Sequence, residues 1–390
     1  MLLTKINTKS GREIILPSHS NITVSDSVYN NYFKSVSDLK VDDNIFLKLD
    51  FRLHWRSESI SNNTSWLLGL IVGDGHYNYP TKKGYRIDLT NLHSENGEYY
   101  RDLVKSEFGL ECKLAYRSGS KATTYYFINK NIRMYLFSLG LKFSSKRDKE
   151  IPISIFSQNS ESAVNFICGL FDSDGHLNDN GLLLVTISKK IALQFQMLLG
   201  SLGYNSFITH TRNGRFSHYR VTLFSFDSRN FIHNNLAFLK AKNKYKRIDK
   251  FKSGNSNSLQ NKKQIKDLII SESERKLLYK EILSKYACKT SGGISLPDNL
   301  SRFFRMSYKS FNTTLLKYIL SRISINGCGP ISDALSLIND NSLFHDKIIS
   351  VESVDSESPS FNTIPLKILN MYDLSSDSIF SDSVTYSSYY

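Results

Sequence analysis

Two stretches of the chain share one pattern of apolar and polar positions. "WLLGLIVGDGHYN" (66–78) and "FICGLFDSDGHLN" (166–178) are apolar almost throughout, and each closes on Asp-Gly-His. Each run predicts a buried helix. After Gly75, "GYRIDLTN" alternates apolar Ile87 and Leu89 with polar Arg86, Asp88 and Thr90, which predicts a half-buried strand. Then come a helical stretch, "ENGEYYRDLVKSEFG", a hairpin around "RSGSKATTYYFINK" and a second helix, "NIRMYLFSLGLK". After Gly175 the order recurs: strand "GLLLVTIS", helix "KKIALQFQMLLGSLGYN", a hairpin turning at Asn213-Gly214, strand "SHYRVTLFS" and helix "NFIHNNLAFLK". The pattern predicts an internal repeat of about 100 residues, each copy running helix–strand–helix–hairpin–helix.

The leading helices carry small residues at one spacing. Gly69 and Gly73 lie four apart, as do Gly169 and Ser173. Residues so spaced share a helix face and let two backbones approach. Glycine inside a helix costs about 1 kcal/mol relative to alanine, so a packing reason is required. The two helices are therefore expected to pack together as a pseudo-twofold interface. Gly75 and Gly175 are expected as left-handed C-terminal caps. Asp74 and Asp174 then fall in the last turns, side by side at one end of the interface. A carboxylate is poorly placed at the negative end of a helix dipole, and two of them repel. A divalent cation removes both problems, and the hard oxygen ligands suit Mg²⁺ or Mn²⁺. One Asp-Gly would be an ordinary helix stop; two, each followed by matching elements, are not.

Composition narrows the class. With 390 residues, 40% hydrophobic and 12% aromatic, the chain can bury two or three cores. It has no run of 18 apolar residues, so no membrane span is expected. Lys5 interrupts the apolar start of "MLLTKINTKSGREI", which excludes a secretory h-region. Cys112, Cys168, Cys288 and Cys328 form no CxxC pair, which argues against a zinc module or a disulfide framework and for a reducing compartment. Residues 230–330 hold twenty Lys/Arg against six Asp/Glu, a local +14, whereas 331–390 hold two against nine, a local −7. A basic block with interleaved Tyr and Phe points to a nucleic-acid partner. An intracellular location follows that partner: the nucleus in a eukaryote, the cytoplasm in a prokaryote or phage.

The paired stretches "LLGLIVGDG" (67–75) and "ICGLFDSDG" (167–175) resemble the motifs of the LAGLIDADG homing endonucleases in single-chain form. "KEIP" (149–152), with Asp174 25 residues after Lys149, is similar to the Lys-x-Ile-Pro block of intein-encoded members. In the first copy Val72 and Gly73 depart from the usual acidic and small pair, but the last acid is kept. "TKSGREIILPSHSNITV" and "SDLKVDDNIFLKL" look like the first blocks of an intein's Hint domain, and "KIISVESV…MYDLSSDSIF" like its last. Leu16 stands where that family has Thr, leaving His19; Met begins the chain and "SSYY" ends it, so a splicing-dead remnant is expected.

The resemblance implies an α+β fold: two pseudo-symmetric αββαββα halves inserted in a β-rich Hint-like remnant. The expected segments are 1–58 and 343–390 for the remnant, 59–150 and 151–250 for the halves, and 251–342 for a basic, mainly helical accessory DNA-binding region. It implies site-specific double-strand cleavage of DNA at a long site with divalent metal, by a monomer that is part of a mobile genetic element. Asp74 and Asp174 would be the metal-binding, catalytic acids and Lys149 the catalytic lysine. In the second half "KAKNKYKR" offers Lys242, Lys244 and Lys246, with Lys246 taken as the candidate. DNA would meet the outward strand residues Arg86, Asp88, Thr90, His218, Arg220 and Thr222, and the hairpin residues Arg117, Lys121, Arg212 and Arg215. His76 and His176 are read as the polar start of the following loops, and Asp172 as a helix-capping or supporting acid. The rival readings are a non-cleaving DNA- or RNA-binding derivative of maturase type and, behind it, a protein-splicing element.

Overall fold

Residues 4–16 are buried at every second position, and alternation of that kind buries one face of a sheet. In the computed structural model, which describes residues 2–25, 31–48, 60–77, 84–91, 94–116, 123–142, 145–178, 181–213, 216–223, 225–245, 276–277, 280–281, 288–290, 293–295 and 343–354, five strands open the chain. They are β1 (Leu3–Thr8), β2 (Glu13–Pro17), β3 (Asn21–Ser25), β4 (Asn31–Ser35) and β5 (Asn44–Lys48).

The first repeat copy follows as α1 (Asn62–Asp74), β6 (Gly75–Tyr77), β7 (Arg86–Asn91), α2 (Ser94–Phe108), β8 (Lys113–Tyr116), β9 (Thr123–Ile128) and α3 (Lys130–Ser138). The second is α4 (Ser160–Asp174), β10 (Gly175–Asn178), β11 (Gly181–Thr186), α5 (Lys189–Ser201), β12 (Ser206–Asn213), β13 (Phe216–Leu223) and α6 (Ser225–Asn235). Both read αββαββα, as the resemblance implied. Each copy folds its strands into a four-stranded antiparallel sheet of equivalent order, β6-β7-β9-β8 and β10-β11-β13-β12. A short helix, α7 (Lys242–Tyr245), closes the second copy.

Beyond it lies a small hairpin, β14 (Cys288–Thr290) with β15 (Gly293–Ser295), in a region expected to be mainly helical. The last strand, β16 (Leu343–Val354), pairs with β1 from Leu3↔Val354 to Thr8↔Ile348 and with β5 from Leu343↔Lys48 to Lys347↔Asn44. The two flanking segments therefore share a six-stranded sheet of order β2-β1-β16-β5-β3-β4. Its core gathers Ile6, Ile14, Ile22, Val24, Val36, Ile45 and Ile348. Asp346 is fully buried beside it, 3.6 Å from the Arg12 guanidinium, and accepts from Thr8 Oγ1 at 2.6 Å and Ser10 N at 3.1 Å. The described residues fall into two compact units, one from 2–48 with those between 276 and 354 and the other from 60–245.

Within the second unit, α1 and α4 pack against each other along their glycine faces. A Cβ on Gly69 would sit 2.1 Å from Phe166 O, and one on Gly169 would sit 2.0 Å from Trp66 O. Both obstacles are backbone, so the glycines are what allow this approach. Among the described residues no helix is long and apolar enough to cross a membrane.

Candidate active site at the paired helix ends

Helix α1 begins where the Ser61 side chain accepts from Thr64 N, and α4 where Asn159 accepts from Ser162 N. Both end on their aspartates. The expected left-handed caps do not form: Gly75 has φ −73° and ψ 144°, and Gly175 has φ −72° and ψ 152°. The chain passes straight from helix into β6 or β10, with no reversal to call for positive φ. Glycine is needed there for space instead, because a Cβ would lie 2.3 Å from Ile71 O or Phe171 O.

The close packing brings the two carboxylates together. A Cβ on Gly73 would lie 3.4 Å from Asp174 Oδ2 and 2.0 Å from Ser173 Oγ. Burial, reinforced by the charge of Asp174, pushes the Asp74 carboxyl up to about 6. Burial also raises Asp174, opposed by the charges of Lys149, Lys244 and Lys146. Asp74 and Asp174 thus form a partly desolvated acid pair at two negative helix ends, with lysines close by.

Those lysines are symmetric in role. Lys149 Nζ donates to the carbonyls of Val72 (2.8 Å), Gly73 (3.0 Å) and Gly75 (3.1 Å) at the end of α1. Lys244 Nζ donates to Phe171 (3.1 Å), Asp172 (2.7 Å) and Ser173 (2.7 Å) at the end of α4. An ammonium has three protons, and each lysine spends all three on main-chain carbonyls in or just past the last helical turn. Burial lowers both lysines, while the aspartates pull the other way. Lys246, the residue favoured from sequence, lies outside the described residues; Lys244 is the one seen at the position equivalent to Lys149. Spacing could not have chosen it, since Lys149 follows Asp74 by 75 residues and Lys244 follows Asp174 by 70.

Asp172 is 1% exposed and supports this end of the second half. Its carboxylate accepts from Trp66 Nε1 (3.0 Å), Lys240 N (2.8 Å), Ala241 N (3.1 Å) and Tyr245 OH (3.2 Å). Burial raises its pKa, and those donors hold it down. The sequence suggested a supporting acid here but gave no sign of its partners Trp66 and Tyr245, which come from other elements.

The two sheets present the expected strand residues unevenly. Ile87 and Leu89 are buried, and Arg86, Asp88 and Thr90 take the opposite face of β7. Arg86 is ion-paired with Asp88 and stacks 3.7 Å above the Tyr126 ring, while Thr90 Oγ1 meets Thr124 Oγ1 at 3.0 Å. On β13, Arg220 is exposed and His218 half-buried, but Thr222 is only 3% exposed. Thr222 is therefore not presented for contact as the alternation implied. In the sheet it stands between Leu183 of β11 and Phe207 of β12. Arg212 is exposed near the end of β12. Arg117, Lys121 and Arg215 lie outside the described residues. His76 and His176 are exposed at the second positions of β6 and β10, in strands that follow the helices directly rather than in the loops expected.

A divalent cation fits the acid pair. Two half-buried carboxylates lie close together where helix dipoles add negative potential, and burial raises both, a cost to their charged forms that a cation would relieve. Among the described residues no group of three or more His, Cys, Asp or Glu is assembled, so the ion would have to be one that completes its shell with water and substrate oxygens, as Mg²⁺ does.

Paired αββαββα halves joined through glycine-faced helices that end on acids define a two-copy, pseudo-symmetric architecture. Residues 161–236, within the second half, match the family model described as a LAGLIDADG-like domain. The chain is 27% identical over 192 residues to the replication factor C small subunit of Methanocaldococcus jannaschii, a match covering 49% of this chain and 10% of that protein. It is 24% identical over 165 residues to an A-type ATP synthase subunit of Methanopyrus kandleri, covering 42% of this chain and 15% of that one. The matches thus span a small part of either relative's length. Among solved structures, variants of the homing endonuclease I-DmoI align at 21% identity with a TM-score of 0.38, over 46% of this chain and 98% of theirs. The homing endonuclease I-WcaI bound to its DNA recognition sequence aligns at 12% identity and 0.35, over 49% and 88%.

Proposed function

We propose that the protein is a site-specific DNA endonuclease that hydrolyses phosphodiesters with divalent metal and cuts both strands of a long duplex site. The observation that carries this reading is the Asp74/Asp174 pair, raised by burial and flanked symmetrically by Lys149 and Lys244. Asp74 and Asp174 would hold the metal, which when bound supplies Lewis acidity and charge neutralisation at the scissile phosphate. The lysines place fixed positive charge beside the acids, where negative charge grows on the phosphate oxygens in the transition state. Two copies of the acid–lysine set suit a substrate with two strands.

The two sheets would each take one half of the site, with Arg86, Arg220, His218 and Arg212 toward the duplex and Arg117, Lys121 and Arg215 at the hairpin tips. Arg86 would first have to leave Asp88 and Tyr126, so part of its binding energy goes into that exchange. The flanking sheet is consistent with a Hint-like remnant interrupted by the nuclease, because β1 and β16 pair across the whole inserted unit. The two archaeal relatives have unrelated names and share only part of their length with this chain, as expected for a mobile segment carried in different hosts.

The test is cleavage of a randomised duplex library with Mg²⁺ by the wild type, Asp74→Asn and Asp174→Asn. A discrete enriched cut site that both substitutions abolish is the expected result. Specific binding without cut strands would replace the nuclease by a DNA-binding derivative.

A further inference from the structure

The two lysines that cap the helix ends are held in place by different means. Lys149 sits in a segment fixed without a buried carboxylate clamp: Ser188 Oγ donates to Lys149 O at 2.5 Å, Ile151 N donates to Gln194 Oε1 at 2.8 Å, and Glu150 is ion-paired with Lys142 and, at 3.7 Å, with Lys190. Lys244 sits in a segment fixed by a buried carboxylate. Asp172 Oδ2 accepts from Lys240 N and Trp66 Nε1, and its Oδ1 from Ala241 N and Tyr245 OH. The contact is reciprocal, since Asp172 on α4 holds the backbone before α7 while Lys244 on α7 caps the carbonyls of α4. In the first half the position two before the acid is Val72, 2% exposed, which has no side-chain oxygen to offer. The halves are symmetric in the acids and lysines and asymmetric in what holds the lysines.

We infer that Asp172 is a positioning residue for Lys244 alone, so that losing it disables one of the two strand cuts and leaves the other. This rests on the nuclease reading above. All four groups around Asp172 are donors, so the site requires a carboxylate with two accepting oxygens. In Asp172→Asn one oxygen becomes an NH₂ that faces two donors, and the clamp on residues 240–245 opens. The Lys149 segment has no bond to Asp172 among those above and keeps its own supports.

The experiment uses the full chain with a duplex selected by the wild type, each strand end-labelled separately, in single-turnover reactions at saturating protein. Asp172→Asn is expected to slow one strand roughly 10- to 100-fold, the scale of a small displacement of a catalytic group, and the other less than about twofold. Affinity for the duplex in Ca²⁺ is expected to stay unchanged, which a merely structural role would not allow. Lys244→Met is expected to slow the same strand, and the double variant Asp172→Asn/Lys244→Met no further. Hydrogen–deuterium exchange without DNA or metal should rise over residues 240–245 and stay level over 145–152. Tyr245→Phe removes a single donor and serves if Asp172→Asn does not fold; a smaller slowing of that strand is expected. Equal slowing of both strands, or additive losses in the double variant, overturns the inference while leaving the nuclease standing. If the wild type cuts neither strand of any duplex, the nuclease reading falls and the inference with it.

Discussion

Asp74 sets the pH behaviour of the metal-free protein. Its folded pKa of about 6 lies above the unfolded value of about 3.9, so the folded state binds the proton more tightly. The stability it contributes is complete below about pH 4 and is lost as pH rises through about 6. Asp174 and Asp172 shift in the same direction. Thermal melts without metal should therefore show the 60–245 unit less stable at pH 7.5 than at pH 5, and excess Mg²⁺ should restore the loss at the higher pH. Asp74→Asn removes the buried charge and should stabilise the metal-free protein at pH 7.5 by about 1–2 kcal/mol while weakening its response to Mg²⁺. A melting point unmoved by either change would mean that the pair is better solvated than its surroundings imply. At this scale the acids were legible because a repeated motif marks them, and Lys149 through the resemblance of "KEIP" to the Lys-x-Ile-Pro block. Lys244 and the partners of Asp172 were not, because which of three neighbouring lysines reaches a helix end depends on where the preceding backbone is anchored.

The glycine faces make a prediction that separates positions in the same motif. In Gly169→Ala the new methyl meets the Trp66 carbonyl, which belongs to a helix and cannot step aside. The helices must separate, and the cost is expected to exceed about 3 kcal/mol, the upper range for overpacking a core. In Gly73→Ala the methyl meets first the Ser173 hydroxyl, a side chain that can change rotamer after giving up its bonds to Gly169 O and Leu170 O. Its cost should be smaller, and the double change Gly73→Ala/Ser173→Gly should recover most of it. Chemical denaturation of the three variants checks the order. The sheets carry a second prediction: Arg220→Ala should weaken binding of a selected duplex and lower the slope of log affinity against log salt by about 1 if the guanidinium meets phosphate. An unchanged slope with altered base preference would assign it to base reading instead. Helix pairing was readable from spacing alone. The form of the helix ends was not, because the Asp-Gly signal for a reversal is the same whether the chain turns or runs on into a strand.

The whole molecule consists of two units with separate cores, and they should respond to separate perturbations. Arg12→Met leaves Asp346 buried without its counter-charge, a loss on the order of 3–5 kcal/mol. Calorimetry should show that substitution lowering a transition that Mg²⁺ does not move, while Mg²⁺ raises the other. A single transition moved by both would mean that the units unfold together. The sequence by itself determined the repeat, the paired helices and the acids that close them, since each is written in local periodicity and in residues close along the chain; the short strands β6 and β10 that complete the αββαββα order were implied only by the family resemblance. Only the tertiary structure decided which lysine stands opposite Lys149, that Asp172 binds the segment carrying it, that Thr222 is covered, and that strands 3–8 and 343–354 pair. Each of these depends on contacts between residues far apart in sequence, and the pattern along a chain records what a residue is compatible with, not which distant partner it meets.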